Sequence, residues 1–327
     1  MDNIILKQLL TEYEQTRMAH SRQLEERKQK LYSKFPRLEE IEKELNLISI
    51  SIAKSVLFPS TNISLQKEKL ENLKSEKEKI LKENNIPQTY LNLEYNCNIC
   101  KDTGYVIHNS HTEMCKCLKQ KIFDIQYNKS NINNLNKDTF ENFNLNLYSD
   151  KIDSKKYGDN ISPRENIKNI KNSCLEFIKD FNNPAGKNLL FSGGTGLGKT
   201  YLSNAIVDKL IKQGYTVLYQ TAPVMLDTLI SKMFKNDPTF SENLLNVDLL
   251  VIDDLGTETM NSMKFTELYK IINTRLLNAN GKITKTIIST NLDLQGLYNT
   301  YDERLVSRFI GHYDIYRFFG DDIRFKK

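Results

Sequence analysis

No stretch of the chain approaches the roughly 18 consecutive apolar residues that a membrane span needs, so no membrane role is expected. The opening residues, MDNIILKQLLTEYEQ, are acidic and amphipathic, and they lack the basic-then-apolar order of a secretory signal. Together these absences predict a cytoplasmic protein. There is no block of like charge: 46 basic and 41 acidic residues alternate to leave a net +5, which permits contact with nucleic acid without predicting it. No strip of aromatic and basic residues marks a surface for stacking bases. Nor is any repeat of 20–50 residues visible, which argues against a solenoid. Cysteines number only five. In a reducing compartment they read as metal ligands or free thiols rather than disulfides.

What is present centres on Phe191–Leu202, FSGGTGLGKTYL. It carries one G-x-x-x-x-G-K-[ST] match, Gly193, Gly194, Thr195, Gly196, Leu197, Gly198, Lys199 and Thr200. A short apolar run, 188–192, precedes it. Leu202, Ala205, Ile206 and Leu210 follow at helical spacing. Strand, glycine loop and helix start are the context that a phosphate-binding loop requires. Backbone N–H groups turned inward and the helix N-terminus favour phosphate oxygens. Lys199 is expected to reach the β- and γ-phosphates of ATP, and Thr200 to ligate Mg²⁺.

Further on, the apolar run VDLLVI ends in Asp253-Asp254. A buried strand ending in two acids suits a metal carboxylate, Asp253, followed by Asp254 to orient or deprotonate water. A third strand, TIIS, ends at Thr290-Asn291, which puts a polar side chain beside the γ-phosphate water. The alternative for Asn291 is a helix cap or turn residue. Arg304 and Arg308 in DERLVSRFIG are one helical turn apart and share a face. They could pair with carboxylates or present a guanidinium to a phosphate. Cys174, in an apolar helix-like stretch, reads as a core residue.

Ahead of this region lies CNICKDTGYVIHNSHTEMCKC. Cys97 and Cys100 form a C-x₂-C, and Cys115 and Cys117 form a C-x-C after fourteen intervening residues. Two tight pairs closed across a hairpin offer four thiolates to a tetrahedral Zn²⁺. His108 or His111 could replace one sulfur. A closed four-ligand site is structural, and such a metal contributes folding free energy on the order of 10 kcal/mol or more. Residues 1–90 read as three helices, broken near Phe35-Pro36 and at Pro59. The third starts from a Thr61/Asn62 cap and carries a Leu65, Lys69, Leu73, Ile80 stripe fit for a coiled-coil seam or a packed hairpin. The expected division is 1–90 helical region, 91–148 zinc module and connecting helix, 149–163 mobile linker, and 164–327 ATPase domain.

FSGGTGLGKTYL, LLVIDDLGTE, IISTNL and ERLVSRFIG, with CxxCKDTGY…CKC and TFENFNL ahead of them, resemble the additional-strand P-loop ATPases of the AAA+ group. Within that group they resemble the DnaC/DnaI helicase loaders, over about residues 95–327. The resemblance implies an α/β fold with a parallel sheet flanked by helices. It also implies an ATP-switched protein that loads a hexameric replicative helicase onto single-stranded DNA. The N-terminal region would grip the helicase, and copies would assemble around nucleotide, DNA or helicase. By the same likeness Asn291 matches sensor 1, Arg308 the arginine finger, Arg304 its neighbour, and Arg324 sensor 2. Asp254 stands where many AAA+ enzymes carry glutamate. Transposition helper ATPases of the IstB type share the core motifs and are the alternative; they usually lack such a cysteine knuckle. A small-molecule kinase would want an arginine-rich lid. A scaffold with a vestigial site would not keep Lys199, Thr200 and Asp253.

Overall fold

In the computed structural model, residues 3–57, 63–108, 111–128, 137–277 and 283–325 are described. Their contacts divide the chain into two units, residues 7–113 and residues 1–6 with 114–327.

The first unit is built on helices α1 (Asn3–Lys34), α2 (Pro36–Leu57) and α3 (Ile63–Glu83). The break falls where Pro36, lacking an N–H, can occupy only the first turn of a new helix. Helices α2 and α3 form the packed hairpin rather than an open seam. Arg37 at the start of one reaches Glu76 near the end of the other at 2.8 Å, and Gln66 Nε2 donates to Ser51 Oγ at 2.9 Å. Leu73 and Leu81 are buried, whereas Leu65 of the expected stripe is exposed. Asn85 ends α3 in the left-handed region at φ +54°. The Asn85 N–H donates to Lys82 O and the Ile86 N–H to Leu81 O, so asparagine fills the C-terminal cap usually taken by glycine. The expected stop at Pro59 and the cap at Thr61/Asn62 lie outside the described residues. A hairpin of β1 (Tyr105–His108) and β2 (His111–Met114) follows.

The second unit holds a five-stranded parallel sheet. Its elements are α4 (Lys116–Phe123), α5 (Ser154–Tyr157), α6 (Pro163–Lys179), β3 (Asn188–Gly193), α7 (Lys199–Lys212), β4 (Val217–Thr221), α8 (Ala222–Phe234), α9 (Thr239–Asn246), β5 (Leu249–Leu255), α10 (Ser262–Leu276), β6 (Lys285–Thr290), α11 (Leu294–Thr300), α12 (Glu303–His312) and β7 (Tyr313–Phe318). The strand order is β4-β5-β6-β3-β7. Strand β6 is thus inserted between the P-loop strand β3 and the acid-pair strand β5, the additional-strand arrangement of the AAA+ fold. Both faces are covered, so the central residues of β3, β4, β5 and β6 are apolar, as buried parallel strands require. Leu190, Leu218, Leu250 and Ile288 pack under α8, α10 and α12. Leu189, Phe191, Tyr219, Val251 and Ile287 pack under α6 and α7, with Cys174 fully buried among them.

Two features differ from the sequence expectation. The run 116–128 is not one plain helix: α4 passes into a π turn at Asp124–Asn128 that covers the free edge of β4. Residues 149–163, expected as a mobile linker, are tied to the ATPase unit. Lys156 pairs with Asp321 at 2.7 Å, Arg317 with Asp159 at 2.8 Å, and Arg164 N donates to Ser149 O at 2.9 Å.

Candidate active site

The tips of β3, β5 and β6 meet at one end of the sheet, where ligands of open parallel sheets bind. From β3 the chain enters Gly193–Gly198 and then α7, whose N-terminus has no side-chain cap. Uncapped amides at a helix start are an anion site. Lys199 is buried and its Nζ donates to Gly193 O at 2.6 Å, Gly194 O at 2.7 Å and Asn291 Oδ1 at 2.9 Å. Burial lowers its pKa, while Asp254 and Asp253 pull the other way. The loop is braced from outside. Tyr148 OH donates to Leu197 O at 3.0 Å, and the Ile323 N–H to Gly196 O at 2.9 Å. At Gly196 (φ +69°) and Gly198 (φ +91°) a Cβ would run into Asp322 and the Tyr148 hydroxyl, so glycine is required twice over. Gly194 and Thr195 remain exposed.

Strand β5 does not simply stop at the acid pair. Ile252 faces Ile288 but Leu255 faces Thr290, so β5 carries one residue more than β6 over this stretch. The bulge residue Asp254 is left-handed at φ +57°, a conformation uncommon for a non-glycine residue and concentrated at functional sites. The bulge re-aims the acids at the loop. Asp253, 4% exposed, accepts from Thr200 Oγ1 at 3.2 Å and Tyr219 OH at 2.7 Å on Oδ2. Its Oδ1 accepts from Ser289 Oγ and, at 3.2 Å, from the Asp254 N–H. Burial first, then the neighbouring Asp253, raises the pKa of Asp254, and Lys199 opposes the shift. Thr200 and Asp253 thus set hard oxygen donors side by side, a set that suits Mg²⁺. Glu258 is held elsewhere, accepting from the Gly256 N–H at 2.9 Å and from Tyr301 OH.

Asn291 therefore joins Lys199, Thr200, Asp253 and Asp254 in one site. The arginines are placed differently. Arg304 is exposed, pairs with Asp302 at 2.8 Å and lies over the Phe265 and Tyr269 rings. Arg308 is half-buried, and its Nε has no hydrogen bond among the described residues. Arg324 pairs with Asp322, whose carboxylate abuts Gly196, so the tail meets the loop through the aspartate rather than the guanidinium.

Cys97, Cys100, Cys115 and Cys117 bring their sulfurs within 4.8 Å of one another. A tetrahedral zinc with Zn–S near 2.3 Å would need about 3.8 Å between sulfurs, so the set fits that ion. His111 is not in the group, and the His108 side chain lies outside the described residues. Asp102, buried and left-handed at φ +55°, accepts from the Asn96 N–H at 2.9 Å and the Cys97 N–H at 2.8 Å, fixing the first knuckle.

Sequence reasoning missed Tyr219, Ser289 and Tyr148. A tyrosine in a buried strand needs a partner for its hydroxyl, and that was the available signal for Tyr219.

Residues 153–326 match the family of IstB-like ATP binding proteins. The chain is 30% identical over 148 residues to the replicative helicase loader DnaC of Buchnera aphidicola subsp. Baizongia pistaciae, covering 44% of this chain and 58% of that protein. To the replicative helicase loader DnaC of Escherichia coli (strain K12) it is 28% identical over 144 residues, 43% of this chain and 56% of that one. It therefore spans between half and two thirds of the relatives it matches. The crystal structure of the DnaC helicase loader aligns at 25% identity over 54% of this chain and 96% of that chain, with a TM-score of 0.43. That score is too low to add to what the strand order establishes.

Proposed function

The chain belongs to the family of IstB-like ATP binding proteins, and from that premise we propose an ATP-switched loader. It would deliver a replicative DNA helicase onto single-stranded DNA. The observation that carries the ATPase part is the convergence of Lys199 and Asn291 at 2.9 Å with Thr200 and Asp253 at 3.2 Å. One end of this site binds phosphate, and the other binds metal and orients water.

In this reading Gly193–Gly198 and the start of α7 wrap the phosphates, and Lys199 exchanges loop carbonyls for phosphate oxygens. Thr200 and Asp253 hold Mg²⁺, which when bound neutralises phosphate charge. Asp254 takes a proton from water that Asn291 helps to place. Arg308, half-buried on α12, serves the phosphate of a neighbouring copy. Arg304 supports the same helix face, and Arg324 acts only if it leaves Asp322. The four cysteines hold Zn²⁺ and stabilise a gripping module for the helicase. The working domain plan keeps 1–90, 91–148 and 164–327, with 149–163 packed on the last of these and not a mobile linker, and slow, partner-stimulated hydrolysis is the working kinetics.

The similarity to proteins named replicative helicase loaders, together with the cysteine cluster, favours this reading over a transposition helper. The test is to mix the full chain with the replicative helicase and follow both by gel filtration with light scattering. A loader co-elutes with the hexamer. Separate elution at micromolar concentrations, with ATP present and absent, refutes the helicase as client.

A further inference from the structure

Asp253 is 4% exposed, and a carboxylate so buried needs fixed donors to satisfy and orient its oxygens. Two of its four come from the motif region itself, Thr200 Oγ1 and the Asp254 N–H. The other two come from residues that no motif names. Tyr219 is 1% exposed, and its hydroxyl donates to Oδ2 at 2.7 Å from β4, across the parallel pairing that sets Thr221 opposite Asp253. Ser289, fully buried on β6, donates to Oδ1 and accepts from the Asp254 N–H at 3.1 Å. One carboxylate is thus held from both neighbouring strands, one oxygen each.

Tyr219 is itself fixed at its other end. Its backbone N–H donates to Asn128 Oδ1 at 2.9 Å, a buried amide on the π turn that covers the sheet edge. The ring cannot rotate its hydroxyl away without leaving the core face it shares with Val217 and Val251.

We infer that Tyr219 and Ser289 are positioning residues for the metal carboxylate: they hold Asp253 so that the Oδ2 position now taken by Thr200 Oγ1 is the one it would offer to the magnesium of a bound nucleotide. This inference rests on the ATP·Mg²⁺ reading of the site. Neither side chain touches nucleotide or metal. Their effect passes through Asp253, as outer partners of metal ligands do elsewhere, where their loss typically costs about 10–100-fold in metal affinity.

The test measures binding, not turnover. ATP affinity of the full chain is determined by calorimetry in EDTA and across a Mg²⁺ titration, for wild type, Tyr219→Phe and Ser289→Ala. Phenylalanine keeps the ring packing, and alanine removes one buried oxygen. Both variants are expected to match wild type in ATP affinity in EDTA, with the lost hydrogen bond to Asp253 showing as a modest drop in melting temperature. The Mg²⁺ concentration that half-restores tight binding should rise about 10–100-fold in each. An unchanged Mg²⁺ dependence in both variants overturns the inference. So does a loss of affinity equal with and without Mg²⁺, which would mark both residues as merely structural. Failure of wild type to bind ATP under either condition would remove the nucleotide reading itself, an outcome visible before any variant is compared.

Discussion

Lys199 carries the largest share of the site's positive charge, and its three hydrogen bonds of 2.6–2.9 Å show how closely loop oxygens crowd it. Hydrogen bonds to charged groups contribute roughly 1.5–3 kcal/mol each. Lys199→Ala should therefore weaken ATP binding by about a hundredfold or more, read by calorimetry, and also lower the melting temperature of the nucleotide-free chain, because the bonds to Gly193 O, Gly194 O and Asn291 are lost with it. Equal affinity for wild type and variant would remove the phosphate role. Asp254→Asn keeps the bulge and its left-handed φ accessible, since asparagine tolerates that region. ATP should still bind, while hydrolysis falls by about 10²-fold or more. The pH dependence has a definite sign. Burial and then Asp253 raise the pKa of Asp254, and the proposed role in taking a proton from water requires the deprotonated form. The wild-type rate should fall with pH earlier than an ordinary aspartate would allow, whereas the residual rate of the variant should lack that limb. Much of this was legible in the chain, because GGTGLGKT and the acid pair use residue types that few other structures need at that spacing. The bulge was not, since two acids after an apolar run look the same whether the strand ends or kinks.

At the scale of elements, the edge of the sheet is closed by side chains instead of a strand. Gln120 Oε1 accepts from the Val217 N–H at 2.6 Å and its Nε2 donates to Val217 O at 3.1 Å. Asn128 bonds both Val217 O and the Tyr219 N–H, and Asp124 Oδ1 receives an N–H from each amide. Residues four apart on the covering helix thus read the ladder as a sixth strand would, which blunts an edge that could pair with another chain. Asn128→Leu would leave the buried Tyr219 N–H without its partner, at a cost of about 1–3 kcal/mol. The measurable outcome is a lowered denaturation midpoint in urea, together with aggregation on mild heating. An unchanged midpoint would show that this contact adds little. No pattern within 116–128 announces such a clamp, because its partners lie some 90 residues away and the helical period looks ordinary. Helix α9 was hidden for a related reason: Asp237-Pro238 signals a loop, and only eight helical residues follow. The cysteine pairs were plain by spacing. Cys97→Ser with Cys100→Ser should abolish one bound zinc per chain by metal analysis and make residues 90–117 sensitive to protease. Absence of metal in wild-type protein prepared under reducing conditions with zinc supplied would contradict the site.

For the whole molecule, the account joins an ATP switch to a client. No described helix is long and apolar enough to cross a membrane, and the ATPase unit carries its site at the strand tips. If Arg308 completes a neighbour's site, Arg308→Ala should bind ATP normally as an isolated chain yet lose stimulation by single-stranded DNA or helicase. Mixing it with Lys199→Ala should restore part of the activity, since each variant supplies what the other lacks. A guanidinium given in trans is worth roughly 10³–10⁵ in related phosphoryl transfers. A mixture as inactive as its parts, with co-assembly shown independently, would confine Arg308 to its own chain. The most direct measurement is helicase loading itself. The replicative helicase is offered circular single-stranded DNA with the full chain and ATP, and the helicase retained after a salt wash is counted. The account predicts ATP-dependent loading by wild type and none by Lys199→Ala. Wild-type chain that binds ATP and helicase normally yet leaves the loaded fraction at the level of helicase alone would contradict it.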